Sequence, residues 1–182
     1  MKNYAGPAEI MYHTGLSAGM IRGAKYALLP GDPGRVEGLA KALDRNALFI
    51  ASHRDYTTWL AQVENAPVLV MSTGMGGPCV TFAVEELARL GVETFIRVGT
   101  TGSIQEDLHL GDVVINTASV RMDGASRAYA PSNFRQQLTW ILSLPSVKRQ
   151  RNRASLSKRG FPSAPTASGR DRNGMTASAA MY

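Results

Sequence analysis

Short apolar runs and helix-spaced apolar positions take turns along the first two thirds of the chain. Apolar runs bounded by turn residues predict strands at residues 25–30, 46–52, 56–63, 67–72, 95–98 and 110–116, the last extending towards 119–122. Apolar residues three and four apart predict helices at 35–43 and 80–90, and Gly91 ends the second helix. Strands interleaved with helices of this length indicate an α/β fold with a largely buried sheet.

The N-terminal residues 1–22 lack this periodicity and predict a polar leader that carries Tyr12 and His13. A single histidine in such a leader is usually a solvated side chain. The leader has no signal-peptide apolar core, and no apolar run of the chain is long enough to span a membrane. Cys79 is the only cysteine, which excludes an internal disulfide and favours a reducing cytoplasm. We expect Cys79 to be a buried or half-buried packing thiol rather than a nucleophile.

Arg97 interrupts the apolar run 95–98, and a predicted loop of Gly99, Thr100, Thr101 and Gly102 follows it. A buried guanidinium is costly unless an anion or a carboxylate meets it. An arginine, two hydroxyl groups and loop amides at one strand end suit a phosphate or a sugar oxygen. The alternative is an ion pair between the arginine and a core carboxylate, and the spacing alone does not separate the two interpretations.

A second candidate anion site is the turn at residues 31–35, Gly-Asp-Pro-Gly-Arg, between the first predicted strand and the first predicted helix. Backbone amides at a helix N-terminus attract anions, and Arg35 would add a positive charge. An ordinary strand–turn–helix connection explains the same residues equally well. In α/β sheets ligands bind beyond the strand ends, where the loops at 31–35 and 99–102 would meet, and this favours the anion site.

All of the net positive charge lies in the last quarter of the chain. Residues 1–134 contain 11 basic and 13 acidic residues, whereas residues 135–182 contain 9 basic residues and 1 acidic residue, Asp171. This tail has little apolar periodicity and many Ser, Arg, Ala and Gly residues. Such a composition is typical of a disordered basic arm, a kind of segment that binds nucleic acid or membranes.

Six strings of residues carry the most specific information in the chain. They are Pro-Gly-Asp-Pro-Gly-Arg at 30–35, Ser-His-Arg-Asp-Tyr-Thr-Thr-Trp at 52–59, Ser-Thr-Gly-Met-Gly-Gly-Pro at 72–78, Glu-Glu-Leu at 85–87, Arg-Val-Gly-Thr-Thr-Gly at 97–102 and Thr-Ala-Ser-Val-Arg-Met-Asp-Gly-Ala-Ser at 117–126. In this order they closely resemble the nucleoside phosphorylase-I family and, within it, the uridine phosphorylases. The likeness runs from about residue 12 to residue 134. It implies a three-layer α/β fold, a mostly buried mixed sheet flanked by helices, incomplete at the C-terminus.

The resemblance implies a pentosyltransferase that uses inorganic phosphate to split uridine into uracil and ribose 1-phosphate. No protein nucleophile is needed, so the enzyme positions phosphate and places charge around an oxocarbenium-like sugar. The implied phosphate site contains Gly31, Arg35, Arg97 and Thr100, with Arg54 from a neighbouring subunit. Arg97 and Thr100 are the implied catalytic residues. The implied nucleoside site contains Thr100, Thr101, Gly102 and, from a neighbouring subunit, His13.

The resemblance also implies the partners of the chain. Because the sites are shared between subunits, it implies a homo-oligomer, a hexamer in this family. The expected ligands are uridine and phosphate, with phosphate as a co-substrate and no other cofactor. Asp55 stands where the family usually has Glu, near a monovalent cation (K⁺) site between subunits, and Tyr12 replaces the usual Phe near the sugar. The expected setting is pyrimidine nucleoside salvage in the cytoplasm, with no membrane.

The resemblance divides the chain into residues 1–134, the N-terminal part of a phosphorylase domain, and residues 135–182, a basic and poorly ordered tail. The family's base-binding segment, Phe-Tyr-Pro-Gly-Gln-Glu-Arg-Tyr-Asp, does not occur in this tail. Plausible codons for residues 168–176, regrouped as each third base plus the next two, read Trp-Pro-Gly-Gln-Glu-Arg-Tyr-Asp. We therefore interpret the tail as the product of a single-base deletion at the Arg135 codon, in the gene or in its sequencing. We expect the truncated chain to have little or no phosphorolysis activity.

Two other functions remain open at this stage. A purine nucleoside phosphorylase of the same family is one, because the residues that would read the base are missing, although the string at 117–126 favours uridine. The other is a non-catalytic protein that binds nucleic acid through the basic residues 148–159, with a steep salt dependence. The chain offers no aromatic-rich strand or helix for reading bases, so nucleic-acid binding ranks below phosphorolysis.

Overall fold

The computed structural model describes residues 6, 8–102, 108–116, 121–131 and 176–181, the last of these for their backbone only. The chain divides into two compact units, the first ending at Val98. No helix in the described parts of the chain is long and apolar enough to cross a membrane.

The first unit is built on a mixed sheet with the strand order β2-β3-β4-β1-β5. These strands are β1 (Tyr26–Leu29), β2 (Leu48–His53), β3 (Tyr56–Val63), β4 (Ala66–Met71) and β5 (Thr94–Thr101), whose last three residues belong to the second unit. Strand β1 pairs in parallel with β4 and β5, whereas β2, β3 and β4 pair in antiparallel fashion. The mixed central sheet inferred from the sequence is therefore confirmed.

Two helices cover this sheet. A 3-10 turn (Pro33–Arg35) leads into α1 (Val36–Leu43), and α2 spans Gly77–Leu90. Helix α2 begins three residues earlier than the apolar spacing predicts, because Pro78 fits the first turn of a helix, where its missing N–H costs nothing. It ends as predicted at Gly91, which has a φ of 103° in the left-handed region.

Alternate residues of β1 and β4 face opposite helices. Ala27 and Leu29 of β1 and Leu69 and Met71 of β4 are buried in one cluster, which includes residues of α2. Val70 of β4 is buried in a second cluster, together with residues of α1. Because side chains along a strand point alternately to the two faces of a sheet, the helices lie on opposite faces, as a three-layer fold requires.

The prediction of a polar leader over residues 1–22 is wrong for residues 8–22, which the structure describes. Met11, Leu16 and Ile21 are 5%, 0% and 1% exposed and belong to the core cluster on the α2 face of the sheet. Turns fold this segment back on itself, with Gly15 and Gly23 at positive φ and Met11 N–H donating to Leu16 O at 2.7 Å. A segment made of turns buries side chains without a regular period, so hydrophobic periodicity could not reveal it.

The second unit contains a parallel pair, β6 (Val113–Ile115) and β7 (Thr176–Met181). Strand β6 is shorter than predicted, because residues 109–112 form a turn with Gly111 at a φ of 89°. Most of the predicted extension towards 119–122 lies outside the described residues. Within the tail, residues 176–181 form a strand where a poorly ordered segment is predicted, and residues 135–175 lie outside the described part.

Candidate active site

The arginine that interrupts the apolar run lies against the glycine at the end of β1. Arg97 faces Leu29 in the parallel register of β5 and β1. Its Nη1 donates to Leu29 O at 3.0 Å and to Val98 O at 2.7 Å. A Cβ atom on Gly31 would lie 2.9 Å from Arg97 Nη2, closer than a Cβ atom comes to another heavy atom. The structure thus brings together two residues of the predicted phosphate site, and a side chain at position 31 would require the guanidinium or the new Cβ atom to shift.

A second glycine loop supports the first one. The backbone N–H groups of Thr73 and Gly74 donate to Pro30 O and Gly31 O, both at 2.9 Å. Gly74 has a φ of 67°, and a Cβ on it would lie 2.9 Å from Asp55 Cβ. The sequence shows the glycine-rich string at 72–78. Its hydrogen bonds to the Gly31 loop could not be predicted from it, because they join residues that are distant in the sequence.

Arg35 ends the 3-10 turn that leads into α1, and its side chain is half-buried. The N-terminal side of this turn is already capped, because Asp32 Oδ1 accepts a hydrogen bond from Gly34 N–H at 2.8 Å. One backbone amide of the predicted anion site is therefore used by a carboxylate of the chain itself. The contribution of this turn to an anion site then depends on the Gly31 end and on the Arg35 side chain.

The predicted loop 99–102 is instead largely a continuation of strand β5, which runs to Thr101. The apolar run could not predict this extension, because Gly99, Thr100 and Thr101 are not apolar. A strand is held by backbone hydrogen bonds, which do not require apolar side chains. Thr100, Thr101 and Gly102 are exposed and belong to the second unit, where Thr101 Oγ1 donates to Gly102 O at 3.2 Å.

Arg54 and Asp55 form the turn of the β2–β3 hairpin, and both are exposed. Arg54 has a φ of 55°, and its guanidinium carbon lies 5.1 Å from the centre of the Tyr12 ring, within the range of a cation–π contact. Asp55 packs against Gly74. The hairpin turn therefore touches both the Gly74 loop and the N-terminal segment.

His13 is held by residues of α2 rather than solvated as a leader histidine. Its ring stacks on Phe82 with centroids 4.1 Å apart and an interplanar angle of 7°. Its Nδ1 lies 2.6 Å from Glu86 Oε1. Sequence reasoning missed both partners, because an amphipathic pattern cannot tell which of the adjacent Glu85 and Glu86 points inward.

The predicted cation site at Asp55 rests on a single carboxylate. Among the residues that the structure describes, no three His, Cys, Asp or Glu side chains come together to hold a metal ion. A site between subunits would draw its other ligands from a second copy of the chain, so the role of Asp55 stays a prediction.

Tyr56 lies in the core cluster on the α2 face of the sheet. Its hydroxyl donates to Cys79 O at 2.9 Å, which ties β3 to the first turn of α2. Burial, with the nearby Cys79, Glu86 and Asp55, raises the pKa of Tyr56 to about 12. Cys79 itself is a half-buried free thiol, and the prediction that it is a packing residue agrees with this burial.

Comparisons with known proteins support the resemblance to the nucleoside phosphorylases. The sequence model of the phosphorylase superfamily matches residues 25–170, ending beyond the residue 134 at which the resemblance was expected to stop. A uridine phosphorylase of Escherichia coli (strain K12) is 52% identical over 124 residues, 68% of this chain and 49% of that protein. A uridine phosphorylase of Thermococcus kodakarensis is 45% identical over 120 residues, 66% of this chain and 42% of that protein.

A guanosine phosphorylase of Halorubrum lacusprofundi is 43% identical over 105 residues, 58% of this chain and 43% of that protein. The chain spans about half the length of the curated relatives it matches. Because the family match covers most of the chain, and because the described unit has the mixed three-layer architecture that the resemblance implies, the chain belongs to the phosphorylase superfamily.

Proposed function

We propose that this protein carries the phosphate-binding half of a uridine phosphorylase, which cleaves uridine with inorganic phosphate to uracil and ribose 1-phosphate. The contact between Arg97 and Gly31 is the observation that supports this proposal most directly. A guanidinium fixed by two backbone carbonyls beside a glycine loop offers a pre-set donor for a phosphate oxygen. The similarity of about two thirds of this chain to uridine phosphorylases supports the choice of substrate class.

In the proposed reaction a phosphate oxygen attacks the anomeric carbon of the ribose while the bond from that carbon to the uracil nitrogen breaks. The bonding electrons leave with uracil, which takes up a proton. Arg97 and Arg35 would hold the phosphate with the Gly31 amide and the Thr100 hydroxyl. Their positive charges keep phosphate bound and oriented, and the phosphate charge in turn stabilises the oxocarbenium-like sugar.

The proposal includes a homo-oligomer, a hexamer, in which Arg54 completes the phosphate site of a neighbouring subunit and His13 reaches its nucleoside. It is supported by the exposure of Arg54 and by its contact with Tyr12, next to His13. Thr101 and Gly102 would line the nucleoside side, and Asp55 would contribute to a K⁺ site between subunits. We place the enzyme in pyrimidine nucleoside salvage in the cytoplasm.

Guanosine is the second candidate substrate, because a guanosine phosphorylase is 43% identical over 105 residues. Uridine is favoured because the uridine phosphorylases match at higher identity, 52% and 50% over 124 residues.

The test measures phosphate-dependent release of uracil from uridine and of guanine from guanosine. The chain as written should release little of either base, since residues 135–182 do not encode the base-binding segment. A protein made after one cytosine is restored at the Arg135 codon should release uracil, and Arg97→Met in that protein should abolish the release. Release of guanine in preference to uracil would favour the second candidate, and no phosphate-dependent release from the restored protein would contradict both.

A further inference from the structure

Glu86 of α2 is a buried carboxylate whose oxygens all point at one short segment. The residue is 7% exposed. Its Oε1 accepts a hydrogen bond from His13 N–H at 2.9 Å, and its Oε2 accepts one from Thr14 N–H at 2.8 Å. Oε1 also lies 2.6 Å from His13 Nδ1. A buried charge is retained only where such bonds replace the lost water.

These bonds fix the protonation state of the carboxyl group. Burial alone would raise the pKa of Glu86, but the backbone N–H groups of His13 and Thr14 outweigh burial and lower the pKa below its ordinary value. Glu86 is therefore ionised at neutral pH, and an ionised carboxylate has no proton to donate.

The ionised carboxylate decides which nitrogen of His13 carries the proton. Because Glu86 Oε1 can only accept, His13 Nδ1 must be the donor in their 2.6 Å contact. In a neutral imidazole whose Nδ1 is protonated, Nε2 holds a lone pair and accepts hydrogen bonds.

The orientation of the ring is fixed by its other neighbours. Phe82 stacks on one face of the His13 ring at 4.1 Å, and Tyr12 meets it edge-on at 5.0 Å. The His13 carbonyl accepts a hydrogen bond from His53 Nδ1 at 2.9 Å, which holds the backbone. The side chain is still 29% exposed, so the ring is held but accessible.

We propose that Glu86 is a positioning residue that fixes His13 in the Nδ1–H tautomer, so that Nε2 accepts a hydrogen bond from a pentose hydroxyl group. The choice of a pentose rests on the proposed function. The tautomer rests only on the contacts of Glu86. A histidine without this partner could carry its proton on Nε2, which would then donate instead of accept, and the orientation of the sugar hydroxyl would be lost.

The tautomer is measured by nitrogen NMR of the 182-residue chain labelled with ¹⁵N-histidine. We expect the spectrum of the unaltered protein to show His13 protonated at Nδ1, and Glu86→Ala to lose this preference. Glu85→Ala is the matched control, because Glu85 is the half-exposed neighbour that pairs with Arg89 at 3.6 Å. His13 protonated at Nε2 in the unaltered protein would overturn the proposal, whether or not the Glu86 variant folds.

The pentose contact is tested by adding ribose 1-phosphate or inorganic phosphate to the same samples. Ribose 1-phosphate should move the Nε2 signal of His13, and phosphate alone should not. Glu86→Ala and His13→Ala should each weaken ribose 1-phosphate binding roughly tenfold, the loss expected for one hydrogen bond, and the double variant should lose no more. Additive losses in the double variant would overturn the positioning role. If His13 is protonated at Nδ1 but its Nε2 signal does not move on addition of ribose 1-phosphate, the positioning by Glu86 is supported and the proposed function is contradicted.

Discussion

Arg97 and Gly31 are in such close contact that a single methyl group at position 31 would lie 2.9 Å from the guanidinium. The parallel pairing of β1 with β5 places Leu29 opposite Arg97, and the Arg97 side chain bonds to Leu29 O. Pairing of two buried strands thus brings a turn glycine and an arginine together across 66 positions of sequence.

Replacing this glycine should displace the guanidinium. Gly31→Ala forces either the new methyl group or Arg97 Nη2 to move, and we expect phosphate to raise the melting temperature far less than in the unaltered protein. The measurement is thermal unfolding with and without phosphate. Gly38→Ala is the control, because Gly38 lies in α1 with nothing within 4 Å of its added Cβ.

The control should keep its full response to phosphate and gain about 0.5–1 kcal/mol in unfolding free energy, because alanine is the better helix former. An undiminished phosphate response in Gly31→Ala would show that the close contact does not matter for binding.

Because of Glu86, the unfolding free energy should fall at acid pH. Its pKa is lowered in the folded protein, so the stabilisation is present above the ordinary carboxyl pKa of 4.5 and is lost as the pH falls through the lower folded pKa. We expect Glu86→Gln to cost about 1–3 kcal/mol at neutral pH, because the amide cannot accept all three N–H groups, and to flatten this acid-side loss. Urea unfolding at several pH values measures both effects, with Glu85→Gln as the control. Parallel pH profiles of the unaltered and Glu86→Gln proteins would contradict the assignment.

Tyr56 should weaken the fold at alkaline pH. Burial raises its pKa from 10.0 to about 12, so its contribution is fully present below pH 10.0 and is lost as the pH rises towards 12. Tyr56→Phe should cost about 1 kcal/mol at neutral pH, since the bond to Cys79 O is lost, and should reduce the alkaline loss. Thermal unfolding of the unaltered and Tyr56→Phe proteins from pH 8 upwards measures both effects. Tyr26→Phe is the control, because Tyr26 is exposed. If the alkaline loss persists unchanged in Tyr56→Phe, another group is responsible.

The nucleotide sequence tests the origin of residues 135–182. We expect the other reading frame at codons 168–176 to encode Trp-Pro-Gly-Gln-Glu-Arg-Tyr-Asp or a close variant. Resequencing the gene then distinguishes a true deletion at the Arg135 codon from a sequencing error. A second frame without this segment would contradict the frame-shift interpretation.

The sheet and both helices could be predicted because their signals are local. The continuous apolar runs of β1 and β4 reflect two buried faces, and the spacing in α2 reflects one buried face. The core role of Leu16 and Ile21 could not be predicted in the same way, because turns bury side chains without a period.

The site was partly predictable for the same physical reasons. Gly31 and Arg97 stood out, one as turn chemistry and the other as a charge in an apolar run. Glu86 did not, because its inward orientation depends on which residue of α2 meets the N-terminal segment. Gly74 was visible only as part of a glycine-rich string, since its contact with Asp55 comes from the β2–β3 hairpin.

The most direct test of the account is calorimetric titration of the purified 182-residue chain with inorganic phosphate. Arg97→Met removes the charged donor and keeps an apolar side chain, and Arg89→Met removes an exposed arginine of α2 as the control. We predict that the unaltered protein and Arg89→Met bind phosphate alike. Arg97→Met should bind roughly 10- to 100-fold more weakly, the loss expected for a hydrogen bond to a charged group. Equal phosphate affinity in Arg97→Met and the unaltered protein, with both folded, would contradict the account.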